Sequence, residues 1–268
     1  MCDHCVIESV KARMLSRRDL FKGGAAGAAA LAVGAAPAVA AAHGSVIDLT
    51  HTYGEDFPTF FGEPGITYDQ AFNFAEHGFN SFNLSIDEHT GTHIDAPLHF
   101  SADGASVDEI PTEDLVVPLC VVDIREKAAE DVDAQVTPDD LSSWISANGD
   151  IPARACVAML SGWAAKVGSD KYRGVDEAGA LHFPGFHPEA AAMLLETEAA
   201  VMAVDTLSLD HGPSADFATH YAWLPAGRYG IENVAGLDQV PAAGATMIVG
   251  APKHRGGSGG PARILALV

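Results

Sequence analysis

The run His89-Thr90-Gly91-Thr92-His93-Ile94-Asp95-Ala96-Pro97-Leu98-His99 gathers three histidines and a carboxylate within eleven residues. Imidazole nitrogen and carboxylate oxygen are donors that suit zinc, manganese or iron, and three protein donors with an open position make a catalytic site, whereas four make a structural one. The β-branched Thr90, Thr92 and Ile94 favour extended backbone while Gly91 and Pro97 disfavour helix, so the spacing predicts a strand entering a turn. Alternation along that strand puts His89, Gly91, His93 and Asp95 on one face, with the bare Gly91 leaving an opening in which an ion could sit. His99 has the same parity but follows Pro97, which bends the chain. It is expected near the metal rather than on it, where a free imidazole could move protons. A single histidine in a strand is usually a surface or hydrogen-bonded core residue, but donors clustered this densely point to a metal site.

The elements that must position this run are legible as apolar stretches. Residues 46–49, 79–86, 115–124, 155–160, 199–204, 246–249 and 264–268 read as strands, several of them continuous enough to be buried on both faces. Thr137-Pro138-Asp139-Asp140-Leu141 combines a cap, a proline at the first helical position and acidic residues in the first turn, opening a helix to about residue 147. His187-Pro188-Glu189 opens a second helix through residue 196. Strands with helices inserted between them argue for a mixed α/β fold rather than a sandwich or a bundle.

Near the amino terminus, Ser16-Arg17-Arg18-Asp19-Leu20-Phe21-Lys22 followed by the Gly/Ala-rich run 23–36 looks like a twin-arginine export signal. That run is shorter than the roughly 20 apolar residues a spanning helix needs, so no stable membrane anchor is expected. Small residues at 38–42 offer a cleavage site, dividing the chain into a signal peptide, 1–42, and one domain, 43–268. The expected location is periplasmic or secreted, with the twin-arginine translocase as partner during export. A formal charge of −21 repels phosphates and excludes nucleic acid as a partner. Cys2 and Cys5 fall in the signal; Cys120 and Cys156 lie in apolar runs and are expected to pack as small hydrophobes, with a disulfide left open as an alternative.

The 89–99 run resembles the signature of the cyclase-like metal-dependent hydrolases, the family of bacterial kynurenine formamidase and isatin hydrolase. Ser161-Gly162-Trp163, Phe183-Pro184-Gly185, Val204-Asp205-Thr206-Leu207-Ser208-Leu209-Asp210 and Gly257-Ser258-Gly259-Gly260-Pro261-Ala262-Arg263 look like family segments in family order. The resemblance implies a mixed α/β fold of the swivelling β/β/α kind, assembled as a dimer or tetramer. It also implies that His89, His93 and Asp95 bind a first divalent ion together with Glu232, that Asp95 and Glu232 bridge to a second, and that His220, twelve residues before Glu232, binds that second ion. His99 takes the role of general acid and base, and Phe60 stands where the formamidases carry a substrate-stacking tryptophan. Among the other histidines, His211, beside Asp210, is the one most open to a site role.

These implications support hydrolysis of a carbon–nitrogen amide bond, with a metal-bound hydroxide as nucleophile at a zinc or manganese site of one or two ions. An arylformamidase-like reaction of the N-formylkynurenine type comes first. A hydrolase of a cyclic amide, imide or lactone, as in isatin hydrolase, is the alternative, and a non-catalytic periplasmic metal or ligand binder is the third reading.

Overall fold

The structure, a computed structural model, describes residues 44–268; the twin-arginine segment, Cys2, Cys5 and the expected cleavage point lie outside the described residues. The strands are β1 (Val46–Asp48), β2 (Ile66–Phe72), β3 (Ser81–Ile86), β4 (His93–Asp95), β5 (Val116–Asp123), β6 (Gln135–Val136), β7 (Cys156–Leu160), β8 (Gly185–Phe186), β9 (Val201–Val204), β10 (Tyr229–Glu232), β11 (Ala245–Gly250), β12 (Gly259–Pro261) and β13 (Arg263–Leu267). Nine of them form one sheet in the order β1-β13-β11-β5-β7-β9-β10-β4-β12. The centre, β5-β7-β9-β10, is parallel, and the pairings outward from it are antiparallel. An antiparallel bridge from Thr50, just past β1, to Val234, just past β10, curls the sheet back on itself.

Parallel strands are covered on both faces, and here the period of two sorts their side chains into two cores. Leu119, Val121, Cys156, Ala158, Val201 and Ala203 point into one; Cys120, Val122, Val157, Met159, Met202 and Val204 point into the other, beneath the helices. This sorting decides the cysteine question. Cys120 pairs in register with Val157 and Cys156 with Leu119, so the two thiols emerge on opposite faces of the sheet and both are free and buried. The disulfide is thereby excluded, and burial pushes the Cys120 thiol up to about 12, leaving it inert.

Helix Pro138–Asn148 starts at the expected cap, with the Thr137 and Asp140 side chains exchanging hydrogen bonds with each other's backbone N–H, and buries Leu141 and Trp144. Helix Pro188–Leu195 buries Ala190, Ala191 and Leu194, one stripe against the same core. Leu194 is fully buried. Leu194→Ala is therefore expected to cost about 2–5 kcal/mol, read as a lower urea midpoint at unchanged slope.

The chain divides into two compact units. The smaller described one, Tyr68–Ser85, contains most of the β2–β3 hairpin and a one-turn helix, Phe74–His77, capped by the Asn73 side chain. The sheet and the site belong to the other. Among the described residues no helix is long and apolar enough to cross a membrane.

Candidate metal centre

The strand expected over 89–95 is shorter than its sequence pattern implies: only His93–Asp95 pair as β4, and residues 88–92 form turns and bends. Alternation therefore aligns His93 with Asp95, and His89 reaches them from a turn. Gly91 does not serve as an opening. Its φ of +64° is left-handed, and a Cβ there would meet the Tyr53 ring at 2.8 Å, so glycine is needed for the turn itself. The carbonyl so exposed accepts from His93 Nδ1 at 3.0 Å and from Asn233 Nδ2 at 2.9 Å, while Tyr172 Oη donates to Asn233 Oδ1 at 2.7 Å. His93 is thus held with Nε2 toward the carboxylates.

Register supplies the late acid. β10 runs antiparallel to β4 with Glu232 directly opposite His93, which brings residues far apart in sequence to cross-strand distance. The fifth donor comes from a helix. Asp210 accepts from the backbone N–H of Thr219 and His220 in the first turn of helix Ala218–Trp223 and from His220 Nδ1 at 2.6 Å, so one carboxylate both caps the helix and orients its imidazole. Sequence reasoning passed over Asp210 and pointed to its neighbour His211; a carboxylate preceding a histidine in an already notable segment was the available signal.

The five expected donors converge. His89 Nδ1 lies 2.7 Å from Asp95 Oδ1, and His93 Nε2 lies 3.3 Å from the same oxygen and 3.4 Å from Glu232 Oε2. His220 Nε2 lies 3.2 Å from Glu232 Oε1 and 3.7 Å from Asp95 Oδ2. Each carboxylate therefore turns one oxygen to the His93 side and the other to the His220 side, the disposition that carboxylates bridging two ions require.

Two carboxylates this deeply buried need compensating positive charge. Without a cation the imidazoles provide it: burial opposes protonation of His93, but Asp95 and Glu232 outweigh it and raise the ring to about 9. Burial likewise opposes protonation of His220, and its hydrogen bond to Asp210 with the nearby Asp95 and Glu232 carboxylates raises it well above its ordinary value. Burial and the adjacent Asp95 charge push Glu232 up. Two buried atoms of the cluster, His93 Nε2 and Asp95 Oδ2, have no hydrogen-bond partner. Such orphans, in a set of His, Asp and Glu donors within 4.8 Å of one another, fit a divalent cation.

The cluster opens into a cavity of about 490 Å³ lined by Phe60, Phe61, Phe100, Leu207 and Phe217, with His99 beside the donors. The His99 ring stacks on His89 with centroids 3.8 Å apart. Pro97 does bend the chain, into a 3-10 turn Pro97–Phe100, as expected. Burial, with the nearby imidazoles and against the pull of Asp95, pushes His99 down to about 4, so its ring is neutral at pH 7. Phe60 contacts Phe61 and Phe217 at 5.3 and 5.9 Å between centroids, one wall of the cavity.

Residues 47–211 match the family profile described as "Putative cyclase". The chain belongs to the cyclase family. This cyclase-family chain is 32% identical over 195 residues to an isatin hydrolase of Roseibium aggregatum, covering 69% of this chain and 73% of that one. It is 26% identical over 221 residues to a kynurenine formamidase of Salinibacter ruber, covering 82% and 95%. Among solved structures it is similar to isatin hydrolase A from Labrenzia aggregata bound to benzyl benzoate, with a TM-score of 0.80 and 35% identity over 86% of this chain and 96% of that one. The mixed α/β architecture expected from the strand pattern is thus that of the family.

Proposed function

We propose that this cyclase-family hydrolase opens the carbon–nitrogen bond of a small, uncharged, aromatic cyclic amide, in the manner of isatin hydrolase, using His89, His93, Asp95, His220 and Glu232 to hold one or two divalent ions, zinc first and manganese second. The observation that carries this is the aromatic-walled cavity opening directly onto the donor cluster. An ion in this site supplies Lewis acidity, lowering the pKa of a water towards about 7 and polarising a carbonyl. The residues do the rest. A ring nitrogen of His99 takes the proton from the attacking water and returns it to the departing nitrogen, so that one water is consumed, the C–N bond breaks, and an amine and a carboxylic acid are formed, the acid then releasing its proton to solvent. Phe60 and its neighbours hold the ring of the substrate by edge and face contacts worth about 0.5–1.5 kcal/mol per pair.

Arylformamidase activity of the N-formylkynurenine type is the second reading, favoured by the same aromatic walls. The isatin hydrolase relatives are nevertheless more similar to this chain, at 32% and 35% identity against 26% for the kynurenine formamidase of Salinibacter ruber, which puts the cyclic amide first. The zinc-loaded protein is therefore expected to hydrolyse isatin with kcat/KM at least tenfold above that for N-formylkynurenine, and a chelator should abolish both activities. A preference for the formyl amide would reverse the order of the two readings. Turnover of neither by protein that retains its metal would return the chain to a binder. Export by the twin-arginine route and assembly as a dimer or tetramer complete the proposal.

A further inference from the structure

His93 is fixed through Gly91 and His220 through Asp210, but His89 sits on a turn and is the most exposed of the three, its side chain 24% accessible against 2% and 4%. Something must hold it. We propose that Glu88, Ser258 and His254 form a positioning unit that fixes the protonation pattern of His89 and so its readiness to bind the metal, a proposal that rests on the metal-site reading above.

The protons around Ser258 can be counted. Ser258 Oγ lies 3.2 Å from His89 Nε2 and 2.6 Å from Glu88 Oε2. A hydroxyl has a single proton, and Glu88, an ionised carboxylate, can only accept. Ser258 therefore donates to Glu88 and presents only lone pairs to His89, which must carry its proton on Nε2. The other ring nitrogen, Nδ1, faces Asp95 Oδ1 at 2.7 Å, inside the donor cluster, and the proton held between them is the one a cation would displace, leaving the Nδ1 lone pair for the metal while Nε2 keeps its proton. The backbone N–H of Ser258 also donates to Glu88 Oε2, at 3.1 Å, and His254 Nε2 donates to Glu88 Oε1 at 2.6 Å, so both carboxylate oxygens are held and the acceptor cannot turn away.

The backbone around Ser258 is shaped to this contact. A Cβ at Gly257 would strike His254 Nε2 and, at 2.6 Å, Glu88 Oε1; a Cβ at Gly259 would meet His89 Cε1 at 2.8 Å. Glycine on both sides lets the segment lie flush against all three side chains. The Gly257-Ser258-Gly259 run, which the metal donors leave unexplained, thus lays a hydroxyl against the most exposed metal-binding histidine and keeps the adjoining positions bare.

The test is metal affinity, measured by chelator competition on the full-length zinc-loaded protein, with circular dichroism to confirm the fold. Ser258→Ala and Glu88→Ala are expected to weaken zinc binding by about 10–100-fold, the usual effect of removing an outer-shell partner. Glu88→Gln still offers an oxygen to Ser258, because His254 can change tautomer to accept from the amide, and is expected to stay within about threefold of the unmodified protein. In that protein the ring-nitrogen NMR signals of His89 should show a proton on Nε2 and zinc on Nδ1. Unchanged affinity in Ser258→Ala, or a proton on His89 Nδ1 in the zinc form, would overturn the positioning role while leaving the metal site standing. Failure of the unmodified protein to retain zinc or manganese would overturn the metal site, and this role with it.

Discussion

Replacing His99 with alanine is expected to lower kcat by about 10²–10⁴-fold and to leave the metal content unchanged, because the ring acts on protons and not on the ion. The geometry makes this a sharp test. His99 lies in the cavity wall against His89, and its ring is neutral at pH 7. The donor atoms of His89, Asp95 and His99 also lie within 4.8 Å of one another. A metal ligand and a proton carrier at this position thus make opposite predictions for one measurement. Loss of an equivalent of metal in the alanine variant, by elemental analysis after desalting, would make His99 a ligand. Retained metal with KM nearly unchanged and kcat collapsed would fix it as the residue that moves the proton, since the lost interaction would be one made in the transition state alone.

The parts of this molecule that could be read from the chain are those whose local chemistry and tertiary environment agree. Strands β5, β7, β9, β11 and β13 fall within about a residue or two of the apolar runs that announced them. β5, β7 and β9 lie at the centre with both faces largely buried, while β11 and β13 bury alternate residues, and all five are rich in apolar side chains. Thr137 and His187 cap the helices assigned to them for the same reason, since a cap is decided by a few neighbouring residues. The strands β2, β6, β8, β10 and β12 escaped, and two of them, β10 and β12, complete the site. β10, Tyr-Gly-Ile-Glu, and β12, Gly-Gly-Pro, carry residues that weaken isolated strands, and they are held extended by tertiary pairing, β12 on β4 and β10 between β9 and β4. The motif itself was legible as a set of donors and misread as a regular strand: a left-handed Gly91 beneath Tyr53 breaks the alternation between His89 and His93. Asp210, Asn233 and Glu88 each act through a histidine that other residues had already marked. Their roles depend on approach across the fold, which no local pattern encodes.

Asp95→Asn is expected to abolish metal retention altogether, an effect larger than the roughly 100-fold upper figure for an outer-shell partner, and to abolish hydrolysis with it. Asp95 is 1% exposed, and its oxygens meet all three imidazoles, with His89 and His93 on Oδ1 and His220 on Oδ2. The amide keeps the shape and changes two things. It removes the negative charge that a divalent ion must neutralise, and it puts an N–H donor on one side of the cluster, where either the His93 or the His220 half then faces a proton instead of a lone pair. The other donors cannot substitute, because Glu232 already divides its oxygens between the same two imidazoles. The fold itself should survive, since His93 and His220, whose protonation Asp95 favours, can shed their protons once it no longer stabilises them, which spares the protein most of the about 3–5 kcal/mol that an unpaired buried charge would cost. Circular dichroism indistinguishable from the unmodified protein, with no metal and no turnover, is the expected set of results. A stoichiometric metal content in Asp95→Asn would show that Glu232 and the histidines suffice without it, and the assignment of Asp95 as the carboxylate common to both halves of the site would fall.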